Sequence, residues 1–243
     1  VFGFDYGGSL DEVFLANTSG PVGLINVIKT SAWTTAGDPS SLQFNGKVSF
    51  TNQLYGATDS APEPVEFPYM FDIDRLSLRV AYDGGSVLFG RYPFSEPTGA
   101  ILNHKVDGVS IRHTWPWLSA RFDFGYTGFI WTSASSIQPS LADSYYAAAG
   151  DGVFGSPRMV GLFLLTPPEL FGQQIRLGAL VQEDLRSDEL LIEEGVTTKQ
   201  PGLAGVVDTQ YIIARLSGNI LPILTYGAFG VYGAGRSLSF IDG

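Results

Sequence analysis

Strict alternation of polar and apolar residues recurs along this chain, and it constrains the fold more than any other feature. In segment 75–82 the apolar residues Leu76, Leu78 and Val80 alternate with the polar residues Ser77 and Arg79. Successive side chains of a strand point to opposite faces, so this pattern predicts a strand with one apolar and one polar face. Segment 42–51 repeats it, with Leu42, Phe44, Val48 and Phe50 against Gln43, Asn45, Lys47, Ser49 and Thr51.

Many such strands in one chain are typical of a transmembrane β-barrel, whose apolar face meets lipid and whose polar face lines a lumen. An allowance of about 20 residues for each strand with its turn suggests about twelve strands, and single-chain bacterial barrels have even numbers. We predict an all-β, antiparallel, up-and-down transmembrane β-barrel of about 12 strands, formed by residues 1–243 as one domain. Eleven strand segments can be assigned, at 1–8, 22–35, 41–55, 70–83, 86–92, 107–114, 117–132, 157–166, 172–184, 204–218 and 222–236.

Composition agrees with this fold and excludes several functions. Charged residues make up only 16% of the chain, whereas ordinary soluble domains are nearer a quarter charged. The net charge of −10 disfavours nucleic acid as a partner. The chain has no cysteine, so neither a disulfide nor a thiolate metal site can form.

The residues at the two ends of the chain lead to two further predictions. The sequence starts at Val1 without a leader, which suggests that a signal peptide has been removed. It ends in a turn-like Asp242-Gly243 instead of a strand with an aromatic end. We therefore expect one or more closing strands beyond residue 243.

The connections between the predicted strands differ in length. The longest, at 57–68, 134–155 and 185–203, are polar, and the last of them is acidic. Tight turns such as Asp83-Gly84-Gly85 are much shorter. In an outer-membrane barrel the long loops are extracellular and the short turns periplasmic.

Charged residues within predicted strands must point away from lipid. Most acidic residues lie in loops, so the lumen would be locally basic although the protein is acidic, which would favour anionic solutes. The alternative is that arginines pair with lumenal acids and fill a narrow barrel. The predicted pore-lining residues are Lys47, Arg75, Arg79, Arg91, Arg121, Asp123, Arg176 and Arg215.

Tryptophan and tyrosine residues lie mostly near the ends of predicted strands. Rings with one polar edge form girdles at the level of the lipid headgroups. A carbohydrate-binding protein would also expose such rings, but it would cluster them instead of scattering them over many strands. The predicted girdle residues are Trp33, Tyr82, Trp115, Trp117, Tyr126, Trp131, Tyr226 and Tyr232.

The middle of the chain carries its most specific motif, from Phe89-Gly90-Arg91-Tyr92-Pro93-Phe94 to Asn103-His104-Lys105-Val106-Asp107-Gly108-Val109. With the later Phe124-Gly125-Tyr126 and the opening Phe4-Asp5-Tyr6-Gly7-Gly8, this motif resembles predicted outer-membrane β-barrel proteins of spirochaetes. The resemblance covers about the first half of the chain and implies a location in the outer membrane of a Gram-negative cell envelope.

Pro93, Pro97 and Gly99 interrupt the strand pattern within this motif, and Asp107-Gly108 is expected to form a turn. Two interpretations remain open for this segment. It is either a constriction loop that folds inward or an ordinary loop at the rim, and the pattern favours the rim loop.

The chain contains no convincing catalytic or metal-binding motif. Its two histidines, His104 and His113, lack the spacing of a metal site, and a hydrolase built from His113 with Ser110 or Ser119 has no supporting motif. Asp72 and Asp74 would share a strand face and suit Ca²⁺ at a rim, but an ion pair with Arg75 explains them better. We predict a protein that is not an enzyme and that uses neither a cofactor nor a metal.

Three classes of function fit these observations. The first is a porin-like outer-membrane channel for passive diffusion of small, anionic solutes. The second is a structural or adhesive envelope protein that forms a surface array, and the third is a soluble all-β carbohydrate-binding module. For the barrel, the expected partners are outer-membrane lipid, further copies of the chain and other envelope proteins.

Overall fold

The computed structural model describes residues 2–17, 23–56, 69–129, 157–185, 207–221 and 224–237. These residues form eleven β-strands in a single sheet. The strands are β1 (Gly3–Asn17), β2 (Gly23–Gly37), β3 (Leu42–Gly56), β4 (Tyr69–Tyr82), β5 (Gly85–Ser95), β6 (Asn103–Trp115), β7 (Leu118–Tyr126), β8 (Arg158–Thr166), β9 (Gln173–Asp184), β10 (Val207–Leu221) and β11 (Leu224–Ser237).

Each strand pairs antiparallel with the next one along the chain, which gives an up-and-down sheet in sequence order. Over the described residues, β1 has one ladder, to β2, and β11 has one, to β10. All the described strands belong to this one sheet, so they do not form the two-sheet sandwich in which a soluble all-β binding module could bury its apolar faces. No helix in the described part of the chain is both long and apolar enough to cross a membrane.

The eleven observed strands correspond to the eleven segments assigned from sequence. Two strand ends are misplaced by six residues or more, and the end of β5, the start of β6 and both ends of β10 are misplaced by three or four. The first strand was expected to end at residue 8, but β1 continues to Asn17 because every residue from Ser9 to Asn17 has a partner in β2. The seventh was expected over 117–132, but β7 ends at Tyr126. The backbone NH of Thr127 instead donates to the carbonyl of Arg158. Residues 130–132 lie outside the described part.

The turn expected at Asp107-Gly108 is also wrong. Both residues lie within β6, where Asp107 pairs with Arg91 and Gly108 with Gly90. Because Gly108 has no side chain, neighbouring strands can approach it closely. Glycine has this role inside strands as well as in turns.

The long connections all lie at one rim of the sheet, although the five-residue connection 18–22 lies at that rim too. Because the strands alternate in direction, β2–β3, β4–β5, β6–β7, β8–β9 and β10–β11 turn at one rim, where each connection spans six residues or fewer. The other rim carries the long connections, including those that contain 57–68, 134–155 and 185–203. We call these the short-turn rim and the long-connection rim.

The two faces of the sheet differ in the way that the alternation predicts. On β4, Leu78 is 41% exposed, whereas its neighbour Ser77 is 2% exposed. The apolar face, called the outer face here, exposes large side chains over nearly every strand. They include Phe44, Phe50, Phe89, Phe124, Phe163, Leu177 and Ile212. The opposite, inner face carries most of the polar side chains within strands, and it curves around residues 92–106.

Candidate functional site on the inner face

The tips of β5 and β6 leave the wall of the sheet and fold onto its inner face. The β4–β5 ladder ends at the pair Leu76 and Arg91, and the β6–β7 ladder ends at Asp107 and Tyr126. Beyond these points β5 and β6 pair only with each other. Residues 92–106 therefore form a hairpin that is free of both neighbouring strands, and we call it the inner hairpin.

A row of three glycines crosses the sheet where the inner hairpin departs. Gly90, Gly108 and Gly125 are consecutive register partners on β5, β6 and β7. Gly90 has a φ of 103°, which side chains other than hydrogen rarely permit. A Cβ at Gly108 would lie 2.0 Å from the carbonyl oxygen of Phe124. The row permits the bend and the close contact between strands, as glycine kinks do in curved sheets.

One side of the inner hairpin packs against the inner face of β8, β9 and β10. The buried cluster joins Tyr92, Phe94, Leu102 and Val106 of this region to Val160, Leu162, Leu180 and Ile213 of the wall. Phe94, Val106, Leu162 and Ile213 are fully buried. Full burial of each such side chain stabilises the packed arrangement by about 1.5–3 kcal/mol, so this contact holds one side of the inner hairpin against the wall.

Two arginines of the wall also bind the connection at the end of the inner hairpin. Nη2 of Arg121 donates to the carbonyl of Ser95 over 3.4 Å, and Nη1 of Arg215 donates to the carbonyl of Pro97 over 2.6 Å. Of the two interpretations left open by the sequence, the inward fold is therefore the one observed. The rim loop, which the pattern favoured, is wrong.

The carboxylate of Glu96 stabilises the connection from Glu96 to Leu102 by accepting hydrogen bonds within it. Oε1 of Glu96 accepts hydrogen bonds from the Thr98 hydroxyl at 2.6 Å and from the backbone NH of Ile101 at 3.0 Å. Burial opposes the charge on Glu96, but hydrogen bonds from Thr98 and from the backbone NH groups of Ile101, Thr98 and Ala100 outweigh it, so the pKa is lowered from 4.5. The carboxylate thus orders the tip of the hairpin while it is ionised.

The other side of the inner hairpin faces β2, β3 and β4 across a cavity of about 580 Å³. Nζ of Lys105, on the hairpin, binds the carboxylates of both Asp72 and Asp74 on β4. These aspartates therefore pair with Lys105, and the expected ion pair with Arg75 is wrong. The cavity is lined by Lys29, Trp33, Thr34, Thr35, Asn45, Gly46, Lys47, Asp74, Arg75, Pro93, Asn103, His104 and Lys105.

Like charges lie opposite each other at three places on the inner face. The register partners are Lys47 with Arg75, Arg112 with Arg121, and Arg176 with Arg215. Like charges directly opposite are destabilising in a sheet. In the last two pairs one arginine is held by the inner hairpin, and Arg121 also binds Asp123 over 2.5 Å. Among the described residues, Lys47 and Arg75 make no ion pair.

The structure thus divides the predicted pore-lining residues between distinct positions. Lys47 and Arg75 line the cavity, whereas Arg121, Asp123 and Arg215 lie around the inner hairpin. Arg91 and Asp107 form an ion pair at the base of the hairpin, with Nη2 and Oδ2 2.5 Å apart. Nη1 of Arg79 donates to the carbonyl of Pro39, and Nη2 of Arg176 donates to Gln174.

The sequence analysis did not identify a buried ion pair between β8 and β9. Arg158 and Asp184 are register partners, their Nε and Oδ2 lie 3.4 Å apart, and both side chains are fully buried. Arg158 shares a face with Val160 and Leu162, so its place in the alternation was a usable signal. A buried pair is costly to break, because one charge would then remain uncompensated.

Aromatic side chains gather on the outer face near both rims. At the short-turn rim, the ring centroids of Tyr82, His113, Trp115 and Trp117 follow each other at 5.7, 4.3 and 6.1 Å. Towards the other rim, the ring of Tyr126 lies 4.7 Å from that of Phe129. Leu118 is the register partner of Trp115, and from there to Tyr126 the eight residues of β7 span about 27 Å at roughly 3.4 Å each.

The remaining girdle candidates have different surroundings. Tyr232 is 74% exposed, and the hydroxyl of Tyr226 binds the side-chain oxygen of Gln173. The prediction that Trp33 belongs to the girdle is wrong, because this residue lines the inner cavity opposite Lys47. Trp131 lies outside the described residues.

The hydrolase residues considered from sequence are not brought together. His113 stacks on Tyr82 on the outer face, whereas Ser119 shares a hydrogen bond with Thr114. The register places Ser119 next to outer-face Leu118 and thus on the inner face.

No family model matches this chain, and no curated protein matches it. Among solved structures it is similar to OmpT, an outer membrane protein of Vibrio cholerae, folded in vitro and in trimer form. The two chains are 13% identical, the match covers 98% of this chain and 78% of that one, and the TM-score is 0.36. This likeness is too distant to assign a function.

Proposed function

We propose that the protein is an outer-membrane β-barrel that lets small solutes diffuse passively, with a preference for anions. The observation that carries this proposal is the pairing of an exposed apolar outer face with an inner face that holds Lys47, Arg75, Arg121, Arg176 and Arg215. In water the outer face would be costly to expose over so many strands. In a bilayer it is the face that meets lipid.

The proposal includes closure of the sheet into a barrel. An open sheet edge leaves a row of backbone NH and carbonyl groups without partners, and these groups find no water in the hydrocarbon region. The aromatic levels near the two rims support a membrane position. Their separation of about 27 Å along a strand tilted by about 35–45° corresponds to a height of roughly 20 Å, which is comparable to, though less than, an apolar band of about 25 Å. By the same convention, the long-connection rim is extracellular.

The inner hairpin makes the passage narrow and charged. It fills the half of the enclosed space next to β8, β9 and β10, and it leaves the cavity next to β2, β3 and β4. Fixed positive charge in a narrow, low-dielectric passage raises the local concentration of anions.

The test is to refold the protein in detergent and to record currents in planar bilayers under a salt gradient. Unheated protein should migrate faster than boiled protein on a gel, and the reversal potential should show anion preference. Arg75→Gln should reduce that preference, because fixed charge is only partly screened at ordinary ionic strength. Recovery as a soluble monomer without detergent would contradict the membrane location. Silence of a correctly folded barrel would contradict the channel and favour the structural or adhesive role.

A further inference from the structure

The cavity beside the inner hairpin holds more positive charge than its acids balance. Four of its lining residues are cations, Lys29, Lys47, Arg75 and Lys105. Lys105 binds both Asp72 and Asp74, the carboxylates that face it from β4. Lys29 faces Asp11 across the β1–β2 ladder, so Lys47 and Arg75 are the cations of this lining that are left without a facing carboxylate.

The uncompensated part of this charge lies at one cross-strand pair. Lys47 is directly opposite Arg75, and no acidic group of the described residues lies within ion-pair distance of either. Coulomb repulsion between such neighbours is stronger beside a low-dielectric wall than in bulk water. An anion between the two side chains would remove the repulsion and gain charge-assisted hydrogen bonds.

A flat apolar surface lies next to the same pair. Trp33 is the register partner of Lys47 on β2. Its ring lies over Gly7, where a Cβ would come within 2.3 Å of ring atom Cζ2. The absence of a side chain at Gly7 thus accommodates the indole against the wall, while the ring remains 38% exposed and lines the cavity.

We propose that this cavity binds a small organic anion with a flat apolar body. The anionic group would lie between Lys47 and Arg75, and the body would lie against Trp33. The volume of about 580 Å³ is within the range of about 300–1,000 Å³ that small-molecule sites occupy. This inference rests on the proposed function, because the ligand reaches the cavity through the water-filled interior.

The probe is benzoate, whose binding to the purified protein in detergent is measured by calorimetry. Benzoate should bind more tightly than acetate, which has no ring, and benzylammonium should not bind. Lys47→Gln and Arg75→Gln should each weaken benzoate binding roughly tenfold, the effect of removing one hydrogen bond to a charged group. Trp33→Leu should reduce the affinity for benzoate towards that for acetate.

Arg112→Gln is the matched control. It removes the same charge from a cation on the inner face that also faces a like charge, but Arg112 does not line the cavity. Equal weakening by Arg112→Gln and Arg75→Gln would overturn the site, because the effect would then come from the general field. Binding of benzoate no tighter than acetate would also overturn it.

Conductance separates this inference from the proposed function. Ring-dependent benzoate binding in a protein that does not conduct would support the site and contradict the channel. An anion-selective channel whose benzoate affinity does not respond to Lys47→Gln or Arg75→Gln would contradict the site alone. The heat-dependent gel shift of each variant shows that it is folded.

Discussion

Gly90 lies directly opposite Gly108 in the β5–β6 ladder, at the level where the inner hairpin leaves the wall. One of the two has a positive φ, and the other has no room for a Cβ next to Phe124. A Cβ at Gly90 would also lie 2.3 Å from the carbonyl oxygen of Leu76. The bend therefore depends on two glycines that both permit a close approach of neighbouring backbone, and Gly90 also adopts a positive φ.

Gly108→Ala should destabilise the protein, because the new Cβ would overlap the backbone of β7 and force the strands apart. Gly90→Ala should do so as well, because the new Cβ would overlap the carbonyl oxygen of Leu76 and the positive φ adds backbone strain of about 1–3 kcal/mol. Both are measured as a lower free energy of unfolding in urea, in detergent. Gly161→Ala is the control, since a Cβ there meets nothing within 4 Å. A similar loss in all three variants would contradict this account of the bend.

Arg215→Gln should loosen the inner hairpin. It removes the hydrogen bond to the carbonyl of Pro97, and a bond to a charged group contributes about 1.5–3 kcal/mol. Hydrogen exchange of the amides at 96–102 should become faster, and channel currents should become noisier. Arg176→Gln removes the same charge at the register partner without touching this connection. Unchanged exchange in Arg215→Gln would show that apolar packing alone holds the hairpin.

Phe44→Arg should prevent insertion into membranes, whereas Asn45→Arg should be tolerated. Phe44 is on the exposed outer face, where an arginine at the bilayer midplane costs about 2–4 kcal/mol. Asn45 lines the inner cavity. The two residues are adjacent, so they match in depth and differ in face. The measurement is the fraction of heat-modifiable protein recovered in vesicles, and equal recovery would mean that the outer face does not meet lipid.

Acidification should release the end of the inner hairpin. The pKa of Glu96 is lowered from 4.5 in the folded protein, so the carboxylate contributes stability that is present above pH 4.5 and is lost as the pH falls through the folded value. Exchange at the amides of Thr98 and Ile101 should rise over that window beyond its intrinsic pH dependence. Glu96→Gln should remove this extra pH dependence, and its persistence in that variant would exclude Glu96 as the cause.

The two faces of the sheet follow from sequence alone, because alternation needs only the period of a strand. The same period places Trp33 in phase with Lys29 and Ser31, and hence on the inner face. The girdle prediction for Trp33 rested on its residue type and its position near a strand end, and it did not use this alternation. The count of strands was also recoverable, since turn residues separate them.

The inward fold of residues 92–106 was one of two interpretations of the sequence and the less favoured one, because Tyr92 and Val106 look like ordinary apolar residues of a lipid-facing strand. These residues lie on the inner side of the sheet because the ladders to β4 and β7 end before them, and where a ladder ends depends on tertiary structure. One signal was available in β8, whose segment Met159–Leu165 is apolar almost throughout. The outer face of the sheet is apolar on the other strands as well, so the additional apolar residues on the inner face of β8 are the ones that indicate a contact from within.

The wall binds the inner hairpin through the main chain of the hairpin, since Arg121 and Arg215 donate to the carbonyls of Ser95 and Pro97. Carbonyl oxygens are the same in every residue. Substitutions at positions 95 and 97 can therefore leave both hydrogen bonds intact, so the surface of the hairpin can change during evolution while its attachment to the wall is kept.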